Sequence, residues 1–262
     1  MVAAGVAFFA MLALFPALAA LIGLVGFVLD PAVISDFLDI GAEFLPEDAL
    51  QLIEAQTSDL LDADRGSLGL TSAISLLAAA WSARLGVDAL IRGLTVIYGG
   101  DPRNGFWSIL TALAMTSVLI GVGVTALAAM LIVPIVMAII SPFIPLGSWI
   151  PTVAEALRWA ISIAVLIIGL GIFYRFGPNR EKGSRSPFLS YGLFLALTLW
   201  ALASMGFSIY LSHFDSYNEI YGSIGAVIVL MLWFYISAYA VLIGGALNYV
   251  LEEGIDRSAD AN

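Results

Sequence analysis

Arg84-Leu85-Gly86-Val87-Asp88-Ala89-Leu90-Ile91-Arg92 stands inside an apolar run, residues 68–97, that is long enough to cross a bilayer. Its three charges are spaced four apart, so a helix places Arg84, Asp88 and Arg92 on one slowly drifting face. A charge at bilayer depth costs roughly 3 kcal/mol even on the lenient insertion scale, so such a stripe is expected to face protein or water. Arg84 falls near mid-span, where an ion pair with Asp88 is the expected state, either as a lock between helices or as the wall of a polar cavity. Arg92 lies close to the end of the run and can snorkel as an anchor. Gly86 and Gly93 fall on another face, where they let a neighbouring helix come close.

Outward from this run the chain repeats the pattern. Apolar stretches fall near 2–29, 68–97, 106–140, 155–175, 188–211 and 222–250, which predicts an all-α, polytopic transmembrane bundle of about six spans forming a single integral membrane domain, residues 1–262. Hydrophobic residues make up 61% of the chain and charged ones 11%, far from the roughly 25% charged of soluble domains, so a soluble enzyme core is excluded. The run 106–140 overshoots a membrane unless tilted or broken, and Pro134 is the expected break. Ser141 to Gly147 and Trp149-Ile150-Pro151 then read as an interfacial turn or half-helix. Basic residues in the connecting segments orient the chain, because short loops rich in Lys and Arg stay in the cytoplasm. Arg103, Arg175, Arg180, Lys182, Arg185 and Arg257 fall on one side, Arg65 and Arg158 on the other, which predicts cytoplasmic N- and C-termini. The first span lacks a basic leader and runs on to Leu29, so it reads as a retained span and not as a cleaved signal.

The net charge of −10 is concentrated in one place. Residues 30–67 hold ten carboxylates against Arg65 alone, so the acidic pI describes one outer segment and predicts no basic partner by itself. Apolar residues there keep helical spacing, as in Val33, Phe37, Ile40 and Phe44, which reads as amphipathic helices split at Pro46. A solvated acidic cap and a cation-gathering vestibule both fit. No calcium-loop spacing occurs.

The last third of the chain carries a resemblance. Tyr174-Arg175-Phe176-Gly177-Pro178-Asn179, then Phe207-Ser208-Ile209-Tyr210, and above all Ser216-Tyr217-Asn218-Glu219-Ile220-Tyr221-Gly222-Ser223, closely resemble the YihY/virulence factor BrkB family. Phe8 to Pro16 and Trp81-Ser82 with Ala89 to Arg92 are similar to its first two spans. The resemblance implies a multi-pass bacterial inner-membrane protein of envelope integrity, linked in some members to the handling of lipids or other amphiphiles. Some members have carried a ribonuclease BN label. Two departures stand out: Gly244-Gly245-Ala246 replaces a Gly-Ala-Glu pattern, and Arg84 is unusual, so the charged stripe is not carried over as a family site.

Other candidates are weighed against ordinary structural roles. Ser237, Gly244 and Asn248 share a face of the last span, and Gly121, Gly123 and Thr125 offer a similar set in the third; both read first as packing seams. Arg175, Arg180, Lys182 and Arg185 signal topology and could also hold anionic lipid. Ser216, Tyr217, Asn218, Tyr221, Gly222 and Ser223 read as an interfacial anchor at the start of the sixth helix. A single histidine, His213, beside Asp215 and Glu219 is too sparse for a metal site, and the chain has no cysteine. No phosphate loop, nucleophile elbow or basic groove for nucleic acid occurs, so no enzyme, cofactor, metal or nucleic-acid partner is expected. Membrane lipids are the expected partners. The leading expectation is a protein that binds and moves, or redistributes, a lipid or amphiphilic solute, with Arg84, Asp88 and Arg92 lining its cavity. The alternative is a non-transporting scaffold that docks an envelope protein through its acidic segment.

Overall fold

A computed structural model describes residues 1–28, 65–140, 149–180, 187–212 and 215–260. The acidic segment up to Asp64, together with Lys182, Arg185 and His213, lies outside the described residues, as do the side chains of Ser216 to Ser223. Among the described residues there are six helices: α1 (Val2–Val28), α2 (Arg65–Ile97), α3 (Gly105–Ile140), α4 (Ile150–Phe176), α5 (Tyr191–Ser212) and α6 (Asp215–Asp260). Each contains a stretch long and apolar enough to cross a membrane, among them Gly69–Ile97 in α2 and Gly105–Ala126 in α3. The expectation of six spans is met.

Two boundaries differ from the sequence reading, both at prolines. The backbone of α3 stays helical through Pro134 to Ile140, so the expected break does not occur there. Over its 36 residues α3 extends about 54 Å, well beyond a hydrocarbon core of about 30 Å. Helix α4 begins at Ile150 with a proline in its first turn, where the missing N–H would have had no intrahelical acceptor anyway. Trp149-Ile150-Pro151 is therefore the start of a helix. The Ser216 to Ser223 motif likewise falls within the first turns of α6.

The chain divides into two compact units. The smaller, Phe9–Ala83, comprises most of α1 and the first half of α2. It buries small side chains, Ala13, Ala20, Ser72 and Ala79, and turns Phe15, Leu18, Leu70, Leu77 and Trp81 outward. That inversion of the soluble pattern is what a lipid solvent selects, since hydrocarbon tails are as apolar as leucine and small residues allow close helix approach.

The larger unit comprises Met1–Phe8 and Arg84–Asn262. Here α5 packs along α6 and α3 along α4. Its core gathers at one end, where Ala3, Leu90, Leu94, Tyr98, Phe173, Tyr174 and Leu193 are buried together. These residues come from the start of α1, the end of α2, the end of α4 and the start of α5. The ends that carry most of the loop arginines are thus the tightly packed ends. Several hydroxyls within the apolar helices are satisfied locally: Thr116, Thr125, Ser162, Thr198 and Ser237 each donate to the carbonyl four residues back.

Candidate functional site

The charged stripe occupies the last turns of α2. Arg84 is 6% exposed and Asp88 4%, whereas the Arg92 side chain is 67% exposed. Asp88 is ion-paired with Arg92, accepting from Nε at 3.0 Å and from the terminal guanidinium nitrogen in a shorter contact. It also accepts from Ser108 Oγ of α3 at 3.2 Å. The expected partner, Arg84, is not the one Asp88 takes. The reason is geometric: helical side chains tilt toward the N-terminus, so an arginine four residues after an aspartate reaches back over it, while one four residues before leans away.

Arg84, Asp88 and Arg92 line a cavity of about 360 Å³ between the end of α2, the connecting loop and the start of α3. Pro102, Arg103, Gly105 and Ser108 complete its polar wall, and Leu85, Ile91 and Ile109 its apolar one. The lining holds three guanidiniums against one carboxylate, a formal balance of +2. A second hollow of about 470 Å³ shares Pro102 and Arg103 with the first and adds Asp101, Asn104, Trp107, Thr111 and Asn179.

Arg103 is the site residue that sequence reading assigned only to topology. Its guanidinium donates to the carbonyls of Gly177 at 2.5 Å, Pro178 at 3.2 Å and Phe176 at 3.3 Å, at the C-terminal end of α4. These are acceptors that a helix terminus leaves over, and a cation there is favoured by the helix dipole. Burial pushes the Arg103 guanidinium below its ordinary value, although arginine stays charged in proteins.

The same end of the unit is tied together by the Tyr174 to Arg180 segment. Asn179 donates its backbone N–H to Thr95 Oγ1 at 3.1 Å and its side-chain amide to Asp101 O at 2.8 Å. Arg180 pairs with Glu252 of α6 at 2.6 Å and lies 3.9 Å from the centre of the Tyr98 ring, which meets Tyr249 edge-on. Helix α2 stops in the Schellman arrangement, with Gly99 N–H on Val96 O at 3.1 Å and Gly100 N–H on Thr95 O at 2.9 Å. Gly99 has φ +67°, and a Cβ on Gly100 would fall on the carbonyl of Asn179. Gly99→Ala should therefore cost about 1 kcal/mol for the left-handed backbone. Gly100→Ala should cost more, because backbone must move. Thermal unfolding of the two variants in detergent checks that order, and equal midpoints would contradict it.

The remaining candidates sort by their contacts. Arg175 lies over the rings of Phe176 and Phe188, at 5.8 and 5.3 Å. Arg180, read as a topology signal that could also hold anionic lipid, has a side chain only 9% exposed. Gly244 and Asn248 form a seam against Gly192 of α5, whose N–H donates to Asn248 Oδ1 at 2.8 Å. Gly93 is a close-approach glycine, with Val2 and Leu242 against it. Gly121 and Gly123 face open space, and the tight glycine on that side is Gly169 of α4, against Val122. Among the described residues no group of three or more His, Asp or Glu converges as a metal site would.

The family model for virulence factor BrkB matches residues 1–262. A ribonuclease-like protein YfkH of Bacillus subtilis (strain 168) is 33% identical over 254 residues, 95% of this chain and 89% of its own. A UPF0761 membrane protein of Idiomarina loihiensis is 28% identical over 148 residues, 56% of this chain and 47% of its own. Another, from Pseudoalteromonas atlantica, is 37% identical over 81 residues, 31% of this chain and 26% of its own. No solved structure matches.

Proposed function

The chain belongs to the virulence factor BrkB family, and we propose that this multi-pass membrane protein binds a lipid or lipid-like amphiphile at the cavity between α2 and α3 and moves or redistributes it. The observation that carries the reading is the state of the charged stripe. Had Arg84 and Asp88 closed on each other in a dry helix interface, the stripe would be a structural lock. Asp88 instead turns to Arg92 and Ser108, and Arg84 stands in the wall of an accessible hollow. A cavity that combines a few convergent polar groups with apolar walls is the usual form of a small-molecule site. The ribonuclease-like name of the Bacillus relative finds little support here, since phosphodiester hydrolysis draws on clustered carboxylates or histidines and this cavity has one carboxylate.

Flux of a labelled lipid in reconstituted vesicles tests the proposal. Arg84→Ala and Arg92→Ala should each lower it at least fivefold with folded yield retained. Parental flux in both variants would leave the structural-scaffold reading in possession.

We place the protein in the bacterial inner membrane with the Arg103, Arg175 and Arg180 end in the cytoplasm. Support comes from the basic bias of the segments at that end. The chain has no cysteine, so single cysteines report cleanly. Ser58→Cys should react with a membrane-impermeant maleimide applied from outside, and Ser186→Cys only after permeabilisation. The reverse pattern would invert the topology.

A further inference from the structure

We infer that the ligand is an anionic amphiphile whose phosphoryl headgroup sits in the α2–α3 cavity while its hydrocarbon chain leaves past Ile109 along the outer face of α3. This rests on the reading above and names the chemistry of its substrate.

Four features of the lining converge on an anion. The lining's formal balance is +2, and at a partly buried site charges interact more strongly than in open water. Arg84 contributes a charge from a side chain more than nine-tenths buried, and Arg92 contributes one from the mouth, partly offset by Asp88. Gly105, the first residue of α3, lines the cavity. The first-turn N–H groups of an α-helix have no intrahelical acceptor, and together with the positive end of the dipole they favour a negative group. Ser108 adds a hydroxyl one turn further on. Planar guanidiniums also match phosphoryl oxygens in geometry.

Two features separate a lipid from a free anion. The lining also includes Leu85, Ile91 and Ile109, which a soluble phosphate would leave unused. Ile109 is also the first of an exposed apolar row on α3, continued by Leu113, Ile120 and Val124 at helical spacing. A chain laid along that row stays in hydrocarbon while its head stays among the arginines. The size agrees: pockets of roughly 300–1,000 Å³ hold small molecules, so about 360 Å³ accommodates a headgroup and leaves the acyl chains outside.

The test is direct binding to the purified full chain in detergent, with a short-chain phosphatidylglycerol as probe and phosphatidylcholine of the same chain length and inorganic phosphate as comparisons. Phosphatidylglycerol should bind at least tenfold more tightly than phosphatidylcholine, and phosphate alone should bind more weakly than either. Arg84→Gln should lose at least tenfold of the phosphatidylglycerol affinity. Asp88→Asn is the variant that keeps the shape, because its amide oxygen can still accept from Arg92 while its amide nitrogen donates to Ser108 Oγ, and it raises the cavity's balance by one charge. It should hold or tighten phosphatidylglycerol binding two- to fivefold, so it decides the matter even if Arg84→Gln does not fold. Equal binding of the two lipids, phosphate binding as tightly as phosphatidylglycerol, or weaker binding in Asp88→Asn overturns the inference. Failure here is distinguishable from failure of the transport reading. Selective binding with unchanged flux in Arg84→Ala would refute transport alone, whereas flux without headgroup preference would refute the anion alone.

Discussion

Gly244→Val is expected to abolish the folded protein, and Gly192→Ala to come close. These two glycines are where α5 and α6 meet backbone to backbone: a Cβ on Gly192 would fall on the carbonyl oxygen of Gly244, and one on Gly244 would fall on the carbonyl of Gly192. Neither obstacle can swing away as a side-chain tip can. The helices would have to separate, and the contacts that hold them would open with them. Those include Gly192 N–H to Asn248 Oδ1 at 2.8 Å, and a Cβ on Gly244 would also fall on the Tyr174 hydroxyl of α4, which donates to Val241 O at 2.7 Å. Overpacking costs about 1–3 kcal/mol where side chains can adjust, and a backbone clash within a membrane interface built on small residues belongs at or above the top of that range. Two other glycines calibrate the claim. A Cβ on Gly245 meets the Leu94 side chain, which can shift, and one on Gly206 meets nothing within 4 Å. Gly206→Ala should be neutral or slightly stabilising, by up to about 1 kcal/mol from helix propensity. Folded yield by fluorescence-detected gel filtration, followed by denaturant unfolding in detergent, ranks the four. A Gly244→Val protein with parental yield and midpoint would mean that α5 and α6 are not held at this seam.

The helices were legible because lipid removes most of the ambiguity in a sequence: with no water to satisfy the backbone, an apolar run of 20 residues or more has to be a helix. Hence the span of 68–97 and the helix Arg65–Ile97 nearly coincide. What was not legible depends on directions and on long-range contacts. Spacing alone put Arg84, Asp88 and Arg92 on one face, but which arginine takes the carboxylate follows from the tilt of side chains toward the helix start, and Arg92 has it. Arg103 was invisible as a cavity residue because its role depends on the end of α4, some 74 residues further along the chain. Gly121 and Gly123 looked like a packing face because composition cannot tell which side of a uniformly apolar helix meets protein. The Schellman turn at Gly99-Gly100, directly after the apolar run, was not read from the sequence, although glycine just past a helix end is its usual mark.

Arg180→Ala should destabilise the protein by about 3 kcal/mol, the low end of what removing one partner from a buried pair costs, without a direct loss of lipid contacts. The low end applies because Glu252 is 26% exposed and so keeps some hydration when its partner goes. Two further interactions would be lost with the guanidinium: the donation to Tyr174 O at 3.2 Å and the stacking over Tyr98, the latter worth about 1 kcal/mol or more when desolvated. Lysine is a poor substitute, since a point charge cannot lie flat on the ring and hold both oxygens at once. Arg180→Lys is therefore expected to recover less than half of the loss. Glu252→Gln keeps a neutral acceptor against Arg180 and should cost about 1–2 kcal/mol, the worth of the charge in the hydrogen bond. If the pair acts as a unit, the double variant Arg180→Ala, Glu252→Gln costs less than the two single losses added together. Strict additivity would show that Arg180 acts through Tyr98 and the α4 carbonyl alone. The distinction bears on the cavity, because the Arg180 clasp fixes Tyr98 at the end of α2, and the same connecting loop carries Pro102 and Arg103 into the wall around Arg84. Loosening the clasp should consequently weaken phosphatidylglycerol binding in Arg180→Ala more than in Arg180→Lys, even though Arg180 is not among the residues lining the cavity. Parental binding in a destabilised Arg180→Ala protein would show that the cavity keeps its shape independently of the clasp.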